Sequence, residues 1–177
     1  MNMLLHICCA PCATYSLRLF QERGYKVTGC FSNPNIHPYR EYLRRLETAQ
    51  EYCRTENITL LAADYDPEAY FRAVTADRDR RCHYCYRLRL EETAKTAKEG
   101  GYAYFATTLC LSPYQDHLAL REEGEAAALR HGVRFIYEDM RFAYRESVNI
   151  SRCLRLYRQS YCGCYFSNKD RLDRRRR

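Results

Sequence analysis

Met3-Leu4-Leu5-His6-Ile7-Cys8-Cys9-Ala10-Pro11-Cys12 is a short apolar run that breaks off into cysteines and a proline. Residues 3–7 read as a buried strand, being too few for a helix. Proline suits the first helical turn, so Pro11 opens a helix that runs to about Arg23, where Gly24 ends it. The rest of the chain repeats this alternation. Strands are expected over residues 26–32, 58–62, 102–107 and 133–137. Helices are expected over 38–56, 67–75, 84–99, 115–131 and 146–157, the first of them carrying the apolar stripe Tyr39, Tyr42, Leu43, Leu46 and Cys53. Strand and helix in turn predict a single α/β domain built on a parallel sheet with helices on both faces.

In such folds ligands bind beyond the carboxyl ends of the strands. Cys8 and Cys9 follow the first strand there. Asn33-Pro34-Asn35-Ile36-His37-Pro38 follows the second, and residues 107–115 follow the fourth. The three most unusual segments are thereby expected at one edge. A nucleotide-binding domain would carry glycines after strand one. Neither GxxxxGK[ST] nor GxGxxG occurs, so ATP or NAD is not expected in that place.

Eleven of the 177 residues are cysteine. No apolar run is long enough to cross a bilayer, and the N-terminus lacks the pattern of a signal peptide, so a cytoplasmic place is expected. Thiols stay reduced there, and clustered cysteines point to metal or redox chemistry rather than disulfides. Three clusters stand out: Cys8-Cys9-Ala10-Pro11-Cys12, Cys82-His83-Tyr84-Cys85 and Cys162-Gly163-Cys164. One structural zinc needs four ligands, and these seven exceed it. They would serve a four-iron cluster and a separate ion. Adjacent Cys8 and Cys9 are expected to point apart, one toward each site. Cys12, in the first turn of its helix, is favoured as thiolate by the dipole. Cys30, Cys53, Cys110 and Cys153 read as buried small hydrophobes.

His6, His37, His83 and His117 lie near these motifs; His6 could be a ligand or proton donor but reads more readily as packed, and the other three as loop or helix-end residues without a chemical role. Within Ser112-Pro113-Tyr114-Gln115-Asp116-His117, the side chains of Tyr114, Gln115 and Asp116 can bind a nucleoside or deliver a proton. Ser112 or Asp116 could equally cap a helix. Tyr157 and Tyr161 could stack on a base. The net charge is +7, of which residues 171–177 hold +4. Arginine makes up 25 of the 29 basic residues, a bias that suits phosphate and is explained equally well by codon usage. Arg40, Arg81 and Arg141 are candidates to hold RNA phosphates.

The motifs resemble the epoxyqueuosine reductase family of the QueH type. The resemblance rests on Leu5–Cys12, on Phe31-Ser32-Asn33-Pro34-Asn35-Ile36-His37-Pro38 and on Arg81-Cys82-His83-Tyr84-Cys85-Tyr86. It continues through Thr107-Thr108-Leu109 and Ser112-Pro113-Tyr114-Gln115 to Tyr157-Arg158-Gln159-Ser160-Tyr161-Cys162-Gly163-Cys164. Asp139-Met140-Arg141 stands where the family has Asp-aromatic-Arg. The resemblance implies a Rossmann-like, adenine nucleotide alpha hydrolase-like fold. It implies an oxidoreductase that converts epoxyqueuosine to queuosine at the tRNA wobble position, the last step of that biosynthesis. It also implies a [4Fe-4S] cluster beside a mononuclear metal ion, expected to be iron, and an external electron donor. Cys8, Cys9, Cys82, Cys85, Cys162 and Cys164 are then candidate cluster ligands, and these with Cys12 serve the two metal sites jointly. Tyr114, Gln115 and Asp116 are the candidate catalytic side chains. Residues 1–170 would form the iron–sulfur domain and 171–177 a basic, disordered tail. A tRNA sulfur-transfer enzyme and a non-catalytic zinc protein that binds RNA are the alternatives.

Overall fold

The computed structural model describes residues 1–75 and 77–175. Its strands β1 (Asn2–His6), β2 (Lys26–Phe31), β3 (Leu60–Ala62), β4 (Tyr104–Thr107) and β5 (Arg134–Phe135) form one parallel sheet in the order β3-β2-β1-β4-β5. The helices are α1 (Ala10–Glu22), α2 (Tyr39–Thr55), α3 (Pro67–Thr75), α4 (Arg81–Glu99), α5 (His117–His131), α6 (Tyr144–Cys153) and α7 (Tyr165–Arg175). This is the expected single-sheet α/β architecture.

β1 is the central strand, and Met3, Leu4 and Leu5 are fully buried, as a strand covered on both faces requires. Side chains alternate across a strand, so this short segment seeds two cores. Met3 and Leu5 pack with Ala13, Leu17 and Phe20 of α1 and with Tyr42 and Ala49 of α2. Leu4 packs with Leu90 and Ala94 of α4 and Leu120 of α5. The chain leaves β1 through β2 and β3, then returns to its other side for β4 and β5. The strand order therefore reverses between β1 and β4, and a crevice opens beyond their carboxyl ends.

His6 closes this edge. Ser32 O can only accept, so the His6 Nε2–H donates to it at 3.2 Å, and Nδ1 accepts from the Thr107 hydroxyl at 2.8 Å. One ring thus ties the ends of β1, β2 and β4. Burial, and then the Arg89 charge, hold its pKa down at about 3, so it is neutral.

Three departures from the sequence reading matter for the site. α4 begins at Arg81 rather than Tyr84, so Cys82 stands on its first turn rather than ahead of it, with Cys85 on the next. Residues 171–175, expected as part of a disordered tail, are the end of α7; residues 176 and 177 lie outside the described residues. Lys169 pairs with Asp173 at 2.9 Å and Arg171 donates to Asn168 at 2.9 Å, and arginines at a helix C-terminus complement its dipole. Cys153, expected to be buried, is exposed, because the buried stripe of α6 runs through Ser147 and Ser151. Cys30, Cys53 and Cys110 are buried as expected.

Candidate metal centre

Beyond β1 the chain bends at Cys8, and Cys9, in extended conformation, is the residue before α1. The first turn of α1 then swings Cys12 back toward them. The three sulfurs lie within 4.8 Å of one another. Cys8 Sγ and Cys9 Sγ are 3.6 Å apart, so the expectation that these neighbours point apart is corrected. The reason is local: the chain turns into the helix at Cys9, and the turn folds both side chains to one side. The Cys8 thiol is held well below its ordinary pKa, first by hydrogen bonds from the Cys12 and Cys9 thiols and then by the Arg89 charge and the Thr108 hydroxyl. That hydroxyl donates to Cys8 Sγ at 3.3 Å and accepts from the Cys8 backbone N–H at 3.1 Å. Cys12, which donates to Cys8, is raised. A cation held by the triplet would displace protons from these sulfurs.

A second group forms where the N-terminus of α4 meets the loop before α7. Cys82, Cys85, Cys162 and Cys164 lie within electrostatic reach of one another. Burial pushes Cys85 up to about 12; the Arg89 charge opposes it, and Cys162 and Cys164 add to it. Burial, then Cys162, raises Cys82. Tyr70, on α3, is fully buried and packs with Cys85 and Cys164. Burial, then the charges of Cys164 and Cys85, drive its phenol strongly upward, and its hydroxyl has no partner among the described residues.

Between the two groups lies Arg89, one turn beyond Cys85 on α4 and only 2% exposed. Its Nη1 donates to Cys85 Sγ at 3.6 Å and its Nη2 to Asn33 Oδ1 at 2.7 Å. Asn33 Nδ2 in turn donates to Ile7 O at 3.0 Å. Among the described residues no carboxylate pairs with Arg89. A buried cation needs a counter-charge, and Cys8, whose pKa the Arg89 charge helps to lower, is the group placed to supply it.

The Cys162-Gly163-Cys164 loop is fastened to α2. Arg45, nearly buried, pairs with Glu41 at 2.8 Å and donates to Cys162 O at 2.9 Å and Tyr161 O at 3.1 Å. Tyr157 donates to Glu41 at 2.7 Å, and Gly163 O accepts from His37 N at 2.8 Å. Gly163 has φ +138°, and a Cβ there would sit 3.1 Å from both Arg45 Nη1 and Ile36 Cγ1. Gly163→Ala is therefore expected to shift the loop that carries two of the sulfurs. Anaerobically purified Gly163→Ala protein should hold clearly less bound metal per chain than wild type; an equal metal content would show the loop to be more tolerant than its geometry implies.

A cavity of about 300 Å³ opens at this edge, lined by Cys8, Cys12 and Cys162 with Arg89, Tyr114 and Gln115 among others. Gln115 accepts from the Tyr86 hydroxyl at 3.0 Å and its Nε2 faces Cys162 Sγ at 3.8 Å. Tyr114 stands on the rim, 80% exposed, with its ring edge-on to Tyr144 at 5.8 Å. Asp116 does not line this cavity. Its carboxylate caps α5, accepting from Ala119 N at 3.1 Å. His117 bonds Tyr137 OH and Ser112 O, and His83 lies 3.9 Å from Glu123, so both have structural partners. Of the candidate phosphate holders, Arg81 is paired with Asp170 and Arg141 with Asp139.

Sequence reasoning passed over three side chains here. Arg89 was legible as an arginine four residues after Cys85, on the same helical face. Arg45 interrupts the apolar stripe of α2. Gln159, whose Nε2 donates to Cys9 Sγ at 3.0 Å and whose Oε1 is buried without a donor, had no signal beyond its nearness to Cys162.

The sulfurs suit a thiolate-held metal group by more than number. Asn35, His37 and Tyr70 keep buried polar atoms without hydrogen-bond partners among the described residues, around the Cys162–Cys164 loop and the Cys85 face, and cluster sulfides accept such hydrogen bonds. Fold and site together define a class: a parallel-sheet α/β protein with a three-cysteine group able to hold a metal ion at the switch point, where nucleotide-binding folds carry glycines. A family model described as epoxyqueuosine reductase QueH matches residues 3–170. An epoxyqueuosine reductase QueH of Dehalococcoides mccartyi is 41% identical over 97% of this chain and 94% of its own length. That of Thermotoga maritima is 32% identical over 98% and 93%. Against the Helicobacter pylori protein of the same name, 39% identical, the match spans 94% of this chain and 49% of that one. A predicted tRNA methyltransferase subunit from Methanocaldococcus jannaschii has the same fold, with a TM-score of 0.58 and 14% identity over 86% of this chain and 74% of that one. The chain belongs to the epoxyqueuosine reductase QueH family.

Proposed function

We propose that the protein reduces epoxyqueuosine to queuosine at the wobble position of tRNA. The observation that supports this reading is that Cys8, Cys9 and Cys12 form one close sulfur group, that Cys8, Cys12 and Cys162 line one cavity, and that the buried Arg89 on its wall donates to Cys85 Sγ. In this reading Cys82, Cys85, Cys162 and Cys164 hold a [4Fe-4S] cluster, and Cys8, Cys9 and Cys12 hold a single ion, iron in the cell. The balance of the reaction is epoxide plus two electrons and two protons, giving alkene and water. When bound, a cluster supplies electrons singly and an adjacent cation withdraws charge from the epoxide oxygen, which no side chain can do alone. The electrons come from an external donor.

The chain's own residues bind and orient. Tyr114 offers an exposed ring to the base and a phenol to the leaving oxygen, and is better placed as proton donor than Asp116, whose carboxylate is engaged in a cap. Gln159 Oε1 would accept from a substrate hydroxyl at the cavity wall. Gln115 Nε2 steadies Cys162. Among the described residues no helix is long and apolar enough to cross a membrane, and a cytoplasmic place fits reduced thiols.

The test is anaerobic. Protein with a strong reductant and tRNA carrying epoxyqueuosine should yield queuosine, read by nucleoside mass spectrometry. Metal analysis should give about five irons and four acid-labile sulfides per chain. Zinc alone, with no product, would return the reading to a non-catalytic RNA-binding protein.

A further inference from the structure

We propose that α7 is an RNA-docking helix whose arginines hold backbone phosphates beside the nucleotide that enters the metal cavity. The inference rests on the reading above, and adds where the nucleic acid lies. Arg171, Arg174 and Arg175 fall at positions i, i+3 and i+4, which places them on one helical face. They line a groove of about 610 Å³ whose other wall includes Tyr114, Ser160 and Cys162. Those same three residues also line the cavity that holds Cys8 and Cys12. Groove and cavity are thus continuous, one basic and the other sulfur-lined.

α7 is held in position, which separates it from a loose basic tail. It grows directly out of Cys164: Ser167 N donates to Cys164 Sγ at 3.3 Å, and Asn168 N to Cys164 O at 3.1 Å. Phe166 packs into the cluster of Tyr70, Val74 and Cys85. The guanidinium of Arg78 lies over the Phe166 ring at 4.7 Å, and Arg81 pairs with Asp170 at 3.0 Å. The outer face therefore keeps a fixed relation to the metal centre.

Arg171 donates to Asn168 Oδ1 and lies over the Tyr161 ring at 5.7 Å, but the positive charges of that face are not neutralised. Many arginines elsewhere are paired, among them Arg18, Arg23, Arg45, Arg87, Arg130 and Arg141. No carboxylate among the described residues lies within ion-pair distance of Arg171, Arg174 or Arg175. Asp170 borders the groove but is paired with Arg81, and Asp173 is paired with Lys169. Fixed, unpaired arginines beside an exposed tyrosine are what a single-stranded nucleic acid needs: a track for phosphates and a platform for a base. The chemistry favours a splayed RNA loop over a duplex, because one nucleotide must leave its neighbours to reach the cavity.

The experiment uses the anaerobically purified holoprotein with Arg171, Arg174 and Arg175 all changed to Gln, and Arg121→Gln on α5 as control. Binding of an anticodon stem-loop carrying epoxyqueuosine is measured by fluorescence anisotropy across a salt series. Loss of three phosphate contacts should lower the slope of log K against log salt by about 2, with a roughly tenfold or greater loss of affinity near physiological salt. Iron content and visible absorbance should equal wild type, which shows that the variant is folded and loaded. An unchanged slope and affinity overturns the proposal. It does so even if turnover falls, since the helix would then serve the electron donor instead. A wild-type protein without iron or product would fail the functional reading, a result separate from this one.

Discussion

Changing Cys82 or Cys85 to serine should bleach the protein and stop turnover together. Both thiols sit on the first turns of α4, and Cys85 packs with Cys164. Serine keeps the size and loses the thiolate that iron prefers. The visible absorbance, the acid-labile sulfide and the conversion of epoxide to alkene should all fall to background. Cys12→Ser provides the contrast. If the triplet holds the single ion, this variant keeps the broad absorbance and loses about one metal per chain. Should Cys12→Ser bleach the protein as fully as Cys82→Ser, the assignment of four sulfurs to the cluster and three to the ion is wrong. Full activity in Cys82→Ser or Cys85→Ser would remove the redox reading itself.

The second large effect is expected at Arg89. Arg89→Met retains much of the volume and removes the charge. Asn33 Oδ1 then loses its donor, and the sulfurs of Cys8 and Cys85 lose the one fully buried cation between them. Breaking a buried charge pair from one side costs about 3–5 kcal/mol. For a domain of this size that is a fall of roughly 6–20 °C in Tm, at about 2–4 °C per kcal/mol. Arg89→Lys should recover part of the loss, because it restores the charge without the fork that reaches Asn33 and Cys85 together. Thermal melts of the three proteins under anaerobic conditions decide the matter. A Met variant as stable as wild type would mean that the guanidinium is not the counter-charge that its burial implies.

Much of this was legible in the residues. The apolar run ending at Ile7, the proline at 11 and the glycine at 24 specify strand and helix through local sterics. Repeated along the chain, that punctuation places Cys8, Asn33 and Thr107 at one sheet edge before any coordinates exist, since parallel strands share a direction. Element ends were less legible. Cys82 joins α4 because the fold carries helical structure back to Arg81, and nothing in Asp77-Arg78-Asp79-Arg80 announces it. The run of arginines after Lys169 reads locally as a solvated tail; it is helical to Arg175 because Phe166, Cys164 and Asp170 fasten its beginning.

The parallel α/β sheet, the absence of a phosphate loop and the presence of seven candidate thiol ligands are all readable in the order of the residues. They follow from short-range periodicity and from residue chemistry, which need no neighbours distant in the chain. The grouping of the thiols is not readable there and emerges with folding. Cys8, Cys9 and Cys12 converge because the turn into α1 folds their side chains together. Cys85 packs with Cys164 because long-range contacts, through Arg45 and Phe166, bring the last loop against α4. Spacing along a chain fixes which sulfurs can share a turn, and packing between elements fixes which of them share a pocket.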